Sequence, residues 1–382
     1  MKTNNRINSI SEYHFKKIEE LKNNLLKSGK QIIDLSIGDP DLKVNNRITE
    51  ELVKSLRLEG FNKYPPYEGL NELKKQIIKY YDEVYSVSLK LDEVIILIGS
   101  KEGISAIIPA ICDIGDTIIN PMLGYPVYET CSKLWGCKSY NIRLLEENSY
   151  LPNFNEIPKA ILSESKLFFI NYPNNPTGAT ANEGFYEDII SFCKKQNIML
   201  CNDGAYNEII NPLKKPISLL QFDKDKLCVE FGTFSKIYNM TGFRLGYAVG
   251  NKAVINAISK IKSNLDSGQF LPIQKAGIEA LKLDRDYVNS IRKIYYSRKI
   301  VAENILKQKN IKFFSGDGTF YLWCRVPKEF TTDEFCEQLI NNYGIVVTPG
   351  YCFGKSGEGY FRIALTRNEE VINNCLSVLK TY

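Results

Sequence analysis

Short apolar runs separated by helix-length stretches constrain this chain more than any other feature. Val94-Ile95-Ile96-Leu97-Ile98 offers no polar position for a solvent face, so it reads as a strand buried on both sides. A glycine turn follows it, and a helix-like stretch runs on to Cys112. The same rhythm recurs at Thr117-Ile118-Ile119, Leu167-Phe168-Phe169-Ile170, Ile198-Met199-Leu200-Cys201 and Leu227-Cys228-Val229-Glu230-Phe231, with helical stretches such as 184–195 between them. Strands alternating with helices predict an α/β layered domain with a largely parallel central sheet.

Both chain ends have a different texture. Ser9-Ile10-Ser11-Glu12 has the Ser-x-x-Glu form of a capping box. Behind it Ile10, His14, Ile18, Leu21 and Leu25 fall near helical spacing, which predicts a helix over 10–27 stopped by Gly29. Ile32–Ile37 reads as a short strand and Gly38-Asp39-Pro40-Asp41 as a loop. Beyond about Asp266, a long charged helix from Tyr287 to Gln308 precedes short strands at 320–323, 345–347 and 360–364. That is an α+β lobe, with which the N-terminal helix is expected to pack. At about 150 residues per domain the 382 residues allow two or three domains, and one fold with two lobes fits equally.

Composition removes several kinds of chemistry. The chain has one histidine, His14, with no ligand-type residues clustered about it, so two-His metal sites within one chain are excluded. Proton transfers then fall to Lys, Asp, Glu, Tyr or a cofactor. The net charge of +5 is spread along the chain without a dense basic run, which gives no support to nucleic-acid binding. None of the ten cysteines forms a C-x-x-C pair, and free thiols in a reducing cytoplasm are expected. The N-terminus has no apolar signal segment, and no run approaches the roughly 20 residues of a membrane span.

Ligands of an open parallel sheet bind beyond the carboxyl ends of its strands. After 94–98 stands Gly99-Ser100-Lys101-Glu102-Gly103, a helix start whose free N–H groups suit a phosphate or merely begin a helix. After 167–170 stands Asn171-Tyr172-Pro173-Asn174-Asn175-Pro176-Thr177-Gly178, at the least a rigid loop. Asp203 and Tyr206 follow the next strand, and Thr233-Phe234-Ser235-Lys236 with Arg244 follows the last. Each alone has a structural explanation. Together they place a phosphate-type turn, an Asn, an acid–phenol pair, a Lys and an Arg at one sheet edge. Pyridoxal phosphate chemistry asks for such a set: an amine for the cofactor aldehyde, an acid for the pyridine nitrogen, and a cationic cradle for the phosphate. No G-x-G-x-x-G follows a strand, which disfavours a nicotinamide enzyme.

Over nearly its whole length, from Leu35-Ser36-Ile37-Gly38-Asp39-Pro40 to Phe361-Arg362-Ile363-Ala364-Leu365, the chain resembles the fold-type I pyridoxal-phosphate aminotransferases of class I/II. The Pro173–Gly178 and Ser235–Gly246 blocks carry the resemblance most specifically. It implies a large cofactor domain over 45–270 with a mostly parallel sheet, and a smaller α+β domain from 1–44 and 271–382. It also implies a homodimer with the active site at the interface, small-molecule amino acid and 2-oxo acid substrates, and ping-pong transfer. Lys236 would be the Schiff-base lysine and proton shuttle, Asp203 the partner of the pyridinium N–H, and Tyr206 and Asn175 the partners of the ring 3′-oxygen. Tyr125 would stack on the ring. Ser100, Lys101, Thr233, Ser235 and Arg244 match the phosphate cup. Tyr64 matches a tyrosine that reaches the partner subunit's phosphate, and Arg362, helped by the Gly38 backbone, matches the clamp for the substrate α-carboxylate.

Three stretches are similar to the LL-diaminopimelate aminotransferase branch: Gly99–Ile104, Asn264-Leu265-Asp266-Ser267-Gly268, and Thr348-Pro349-Gly350 through Arg362. Gly103-Ile104-Ser105-Ala106 departs from the Gly-Ile-Ala-His common in that branch. Aspartate, alanine or aromatic transamination, and C–S β-lyase chemistry on the same scaffold, remain the alternatives. A winged-helix regulator with this fold is disfavoured, because only 37 residues precede Gly38.

Overall fold

The apolar runs form the middle of one sheet. The computed structural model describes residues 3–8, 10, 16–27 and 29–382. In chain order the strands are β1 (Ile33–Asp34), β2 (Val94–Leu97), β3 (Thr117–Pro121), β4 (Lys138–Ile142), β5 (Ser165–Ile170), β6 (Met199–Asp203), β7 (Val229–Thr233), β8 (Gly246–Gly250), β9 (Phe313–Phe314), β10 (Tyr321–Arg325), β11 (Ile345–Val346), β12 (Thr348–Pro349) and β13 (Tyr360–Ala364). Seven of them make a sheet of order β2-β8-β7-β6-β5-β3-β4. Its pairs are parallel except those of β8, which is antiparallel to both β2 and β7. β2 is buried at every position, as its unbroken apolar run requires, and helices such as Ser100–Ile111 and Glu183–Gln196 flank the sheet.

Two strands of this sheet have no apolar run to announce them. β4 is an edge strand of sequence Lys-Ser-Tyr-Asn-Ile and is only partly covered. β8 opens on Gly246, where a Cβ would stand 2.6 Å from the Ser100 nitrogen. Only glycine allows that approach, and it brings the backbone after Arg244 against the start of the helix Ser100–Ile111.

A second sheet, β12-β13-β10-β9, is antiparallel, and β1 pairs in parallel with β11, Ile33 opposite Ile345. The strand expected over 32–37 is confined to Ile33–Asp34. Beyond it the Ser36 and Ile37 carbonyls accept from Arg362 and Thr366 instead of a neighbouring strand. The long helix starts at Arg285, where the Asp284 carboxylate accepts the Tyr287 N–H at 2.8 Å. Its Arg298 makes a two-pronged pair with Asp41, at 2.7 and 2.9 Å, and so anchors the loop after Gly38. At the N-terminus Lys16–Lys27 is helical; Ser9, Ser11, Glu12 and His14, on which the capping signal and the lone-histidine reading rest, lie outside the described residues. All ten cysteines are free thiols, and no described helix is long and apolar enough to cross a membrane.

Candidate active site

A cavity of about 540 Å³ lies where the carboxyl ends of β2, β5, β6 and β7 face β10 and β13. Gly38, Ser100, Lys101, Tyr125, Asn175, Asp203, Tyr206, Thr233, Ser235, Lys236, Arg244 and Arg362 all line it. Tyr64 does not; within one chain it stands 83% exposed.

Asp203 closes β6 at the floor of the cavity. Tyr128 donates its hydroxyl to Oδ2 at 2.7 Å, and Asn171 Nδ2 donates to the Asp203 carbonyl at 2.7 Å. Oδ1 is buried without a partner among the described residues. Burial raises the carboxyl to about 6, against the lowering effects of Tyr128, the Ala205 N–H and the Lys236 charge. The site therefore holds a buried acceptor that a cationic N–H would complete. Asn171 also accepts the Asn175 N–H at 2.9 Å, so one side chain aligns the strand end and the loop.

Lys236 Nζ donates to the Gly38 carbonyl at 2.9 Å and lies 5.8 Å from the centroids of the Tyr206 and Phe320 rings. Any larger residue at position 38 would displace the Tyr321 ring, since an added Cβ would fall 1.7 Å from its hydroxyl oxygen. That hydroxyl is 3.0 Å from the Tyr206 hydroxyl. Burial and the adjacent Tyr321 push the Tyr206 phenol well up, so it stays protonated and able to donate.

The Arg362 guanidinium carbon lies over two rings, 4.0 Å from the Tyr321 centroid and 4.7 Å from that of Phe353. It donates to Asn175 Oδ1 at 2.7 Å and to the Ser36 carbonyl at 2.6 Å, while Nε has no partner among the described residues. No described carboxylate pairs with it. A buried guanidinium held by neutral acceptors can take a carboxylate from outside the chain.

The rest of the cavity is an anion cradle. The helix Ser100–Ile111 starts behind Gly99, which has φ +78° and no side chain to cap the first N–H groups. A Cβ there would meet Arg244 Nη2 at 2.6 Å, so the guanidinium passes over the helix end. Thr233 and Ser235 present hydroxyls 2.9 Å apart, and Lys101 Nζ lies 5.9 Å from the Tyr125 ring centroid.

Tyr128, Asn171, Tyr321 and Phe353 belong to the site and escaped the sequence reading. Tyr128 had a usable signal, since it follows Tyr125 by three residues at the start of the helix Val127–Leu134. It also stacks on Phe169, 5.3 Å between centroids. Tyr128→Phe should leave the fold intact and weaken cofactor retention about tenfold, since a hydrogen bond to a charged group contributes about 1.5–3 kcal/mol. Fluorescence titration of the cofactor-stripped protein measures this, and an unchanged dissociation constant contradicts it.

Residues 30–379 match the family model described as aminotransferase class I and II. The LL-diaminopimelate aminotransferase of Aquifex aeolicus is 41% identical, with 94% of each chain covered. That of Halothermothrix orenii is 40% identical over all of this chain and 98% of its own. Among solved structures, apo BacF from Bacillus subtilis superposes with a TM-score of 0.94 at 32% identity, covering 99% of this chain and 97% of that one. These neighbours have the fold-type I architecture, and the family's reactions rest on pyridoxal 5′-phosphate. With a match from residue 30 to residue 379 and relatives of this likeness over its full length, the chain is an aminotransferase and belongs to the class I and II family.

Proposed function

We propose that this enzyme binds pyridoxal 5′-phosphate and transfers an amino group from LL-diaminopimelate to a 2-oxo acid, 2-oxoglutarate being the expected acceptor. The full-length likeness to LL-diaminopimelate aminotransferases carries the substrate assignment. The cavity supports it: beyond Arg362 its wall includes Glu19 and the Lys22–Asp34 ion pair, both signs of charge, which a zwitterionic end could join or exchange with. LL-diaminopimelate bears an ammonium and a carboxylate at the end remote from the reacting carbon, which such a wall can meet.

The residues fit the cofactor. The orphaned Asp203 Oδ1 is an acceptor for a ring N–H, and Arg244, Thr233, Ser235 and the bare helix start form a phosphate seat. When bound, the cofactor supplies an aldehyde to take the amino group and an electron-withdrawing ring. Lys236 Nζ, already aimed by the Gly38 carbonyl, would bond the aldehyde and, once released, carry the proton to and from the substrate Cα. Tyr206 and Asn175 would hold the ring hydroxyl, and Tyr125 would cover a ring face. Arg362 would exchange its neutral acceptors for the substrate α-carboxylate. With this reading goes a division into a large domain over 45–270 and a small domain from 1–44 and 271–382. Tyr64 would complete the phosphate seat of a second copy, and ten free thiols suit a cytoplasmic homodimer.

The test is a half-reaction screen. The holoenzyme is mixed with amino acids one at a time, and loss of its visible absorption band is followed. LL-diaminopimelate should give the highest rate constant over concentration; a faster reaction with aspartate, alanine or an aromatic amino acid overturns the assignment. Arg362→Ala should lower kcat/KM about 100-fold, mostly through KM, because a charge-assisted bidentate clamp is lost from binding. Steady-state kinetics with unchanged KM would place the clamp elsewhere.

A further inference from the structure

Away from the reacting groups, a buried ammonium joins the two halves of the anion cradle. Lys262, on the helix Lys252–Leu265, has a side chain only 1% exposed. Its Nζ contacts both oxygens of Glu102, at 2.9 and 3.2 Å, and both of Asp266, at 3.0 and 2.9 Å. Each carboxylate also accepts a backbone N–H: Glu102 that of Ile98, just before Gly99, and Asp266 that of Gly268 at 2.6 Å.

These contacts end on the two sides of the cradle. Glu102 lies in the first turn of the helix whose open end presents the Ser100 and Lys101 N–H groups, so its hold on Ile98 sets the path of the chain into that end. Asp266 shapes the turn into Gln269, whose amide donates to the Arg244 carbonyl. Gly268 in that turn abuts Pro65 and Pro66, next to Tyr64.

We propose that Lys262 is a positioning residue for the phosphate group. Through Glu102 and Asp266 it fixes the helix end and Arg244 relative to each other, so that their donors converge on one phosphate monoester. The inference rests on the pyridoxal 5′-phosphate reading of the site. A buried charge with two partners could serve fold stability alone. That role would not discriminate between ligands with and without a phosphate, whereas a positioning role must.

The experiment measures dissociation constants of cofactor-stripped protein for pyridoxal 5′-phosphate and for pyridoxal, which lacks the phosphate. Lys262→Met should weaken pyridoxal 5′-phosphate at least tenfold and pyridoxal less than twofold. Glu102→Gln and Asp266→Asn keep the shapes of the side chains and should each give at least a threefold loss confined to the phosphorylated ligand; they decide the matter if Lys262→Met does not fold. Equal weakening of both ligands, or no weakening, overturns the proposal. A wild-type protein that binds the two ligands equally would instead remove the phosphate-seat reading on which it stands.

Discussion

Lys236→Ala should lower kcat at least ~10⁴-fold, the upper range for a positioned acid–base group, because in the proposed reading this side chain provides both the covalent amine and the proton carrier. The other lysines lining the cavity are engaged elsewhere, Lys22 with Asp34 and Lys101 beside the Tyr125 ring. The chain's single histidine is His14, and the Tyr206 phenol beside Lys236 is buried with its hydroxyl paired to that of Tyr321. The Gly38 carbonyl, which accepts the Lys236 ammonium at 2.9 Å, orients the amine and cannot move protons itself. Borohydride treatment of the wild-type holoenzyme should fix the cofactor covalently on the peptide containing Lys236, and the Ala variant should release it on denaturation. Substantial transamination by the variant would assign the chemistry to a different amine.

Asp203→Asn should have the second largest effect, and its sign depends on what is measured. In catalysis the loss should reach about 10³-fold in kcat, because a neutral amide cannot hold a ring N–H as a cation in a buried site. In the stability of the cofactor-free protein the same change should be favourable at neutral pH. The folded-state pKa of Asp203, about 6, lies above the 3.8 of an ordinary Asp because burial disfavours its charge. A raised folded pKa contributes stability that is fully present below about pH 4 and is lost as pH rises through 6. The displacement corresponds to about 3 kcal/mol. Urea unfolding of the cofactor-free protein should therefore find the Asn variant more stable than wild type at pH 8, with the advantage gone at pH 4. Cofactor affinity of wild type should rise from pH 5 to 7 as the carboxylate forms, beyond any rise in the Asn variant. The variant removes this carboxyl and keeps the cofactor's own phosphate titration, so the difference isolates Asp203.

Parts of this enzyme that rest on a local pattern could be read from sequence. Runs such as Val94–Leu97 are buried strands because no residue in them tolerates water, and the polar groups beyond their ends had only one edge to share. Asp203, Lys236 and Arg244 reach one cavity for that reason. What stayed hidden depends on partners far away in the chain. β8 pairs with β2 and β7 and reaches Ser100 through Gly246, a contact that no hydropathy pattern records. Tyr321 is a site residue because Gly38 makes room for its hydroxyl, and its own strand looks like plain core. Ile32–Ile37 was too long as a strand because after Leu35 tertiary hydrogen bonds to Arg362 and Thr366 replace a ladder. Lys262 reads in sequence as one more charge on a helix face; its burial between Glu102 and Asp266 is a property of the assembled sheet and loops.

The pairing of β1 with β11 also sets a timetable for synthesis. Ser36 meets Thr348 across 312 residues of chain, and its carbonyl meets Arg362 across 326. A ribosome adding about 5–20 residues per second needs roughly 15–60 s to make the second partner after the first. In the last part of that interval the seven-stranded sheet, complete by Gly250, already carries Asp203, Lys236 and Arg244. A nascent chain can thus present the cofactor-facing groups well before it owns a carboxylate clamp, and competence toward amino acids arrives with its final strand.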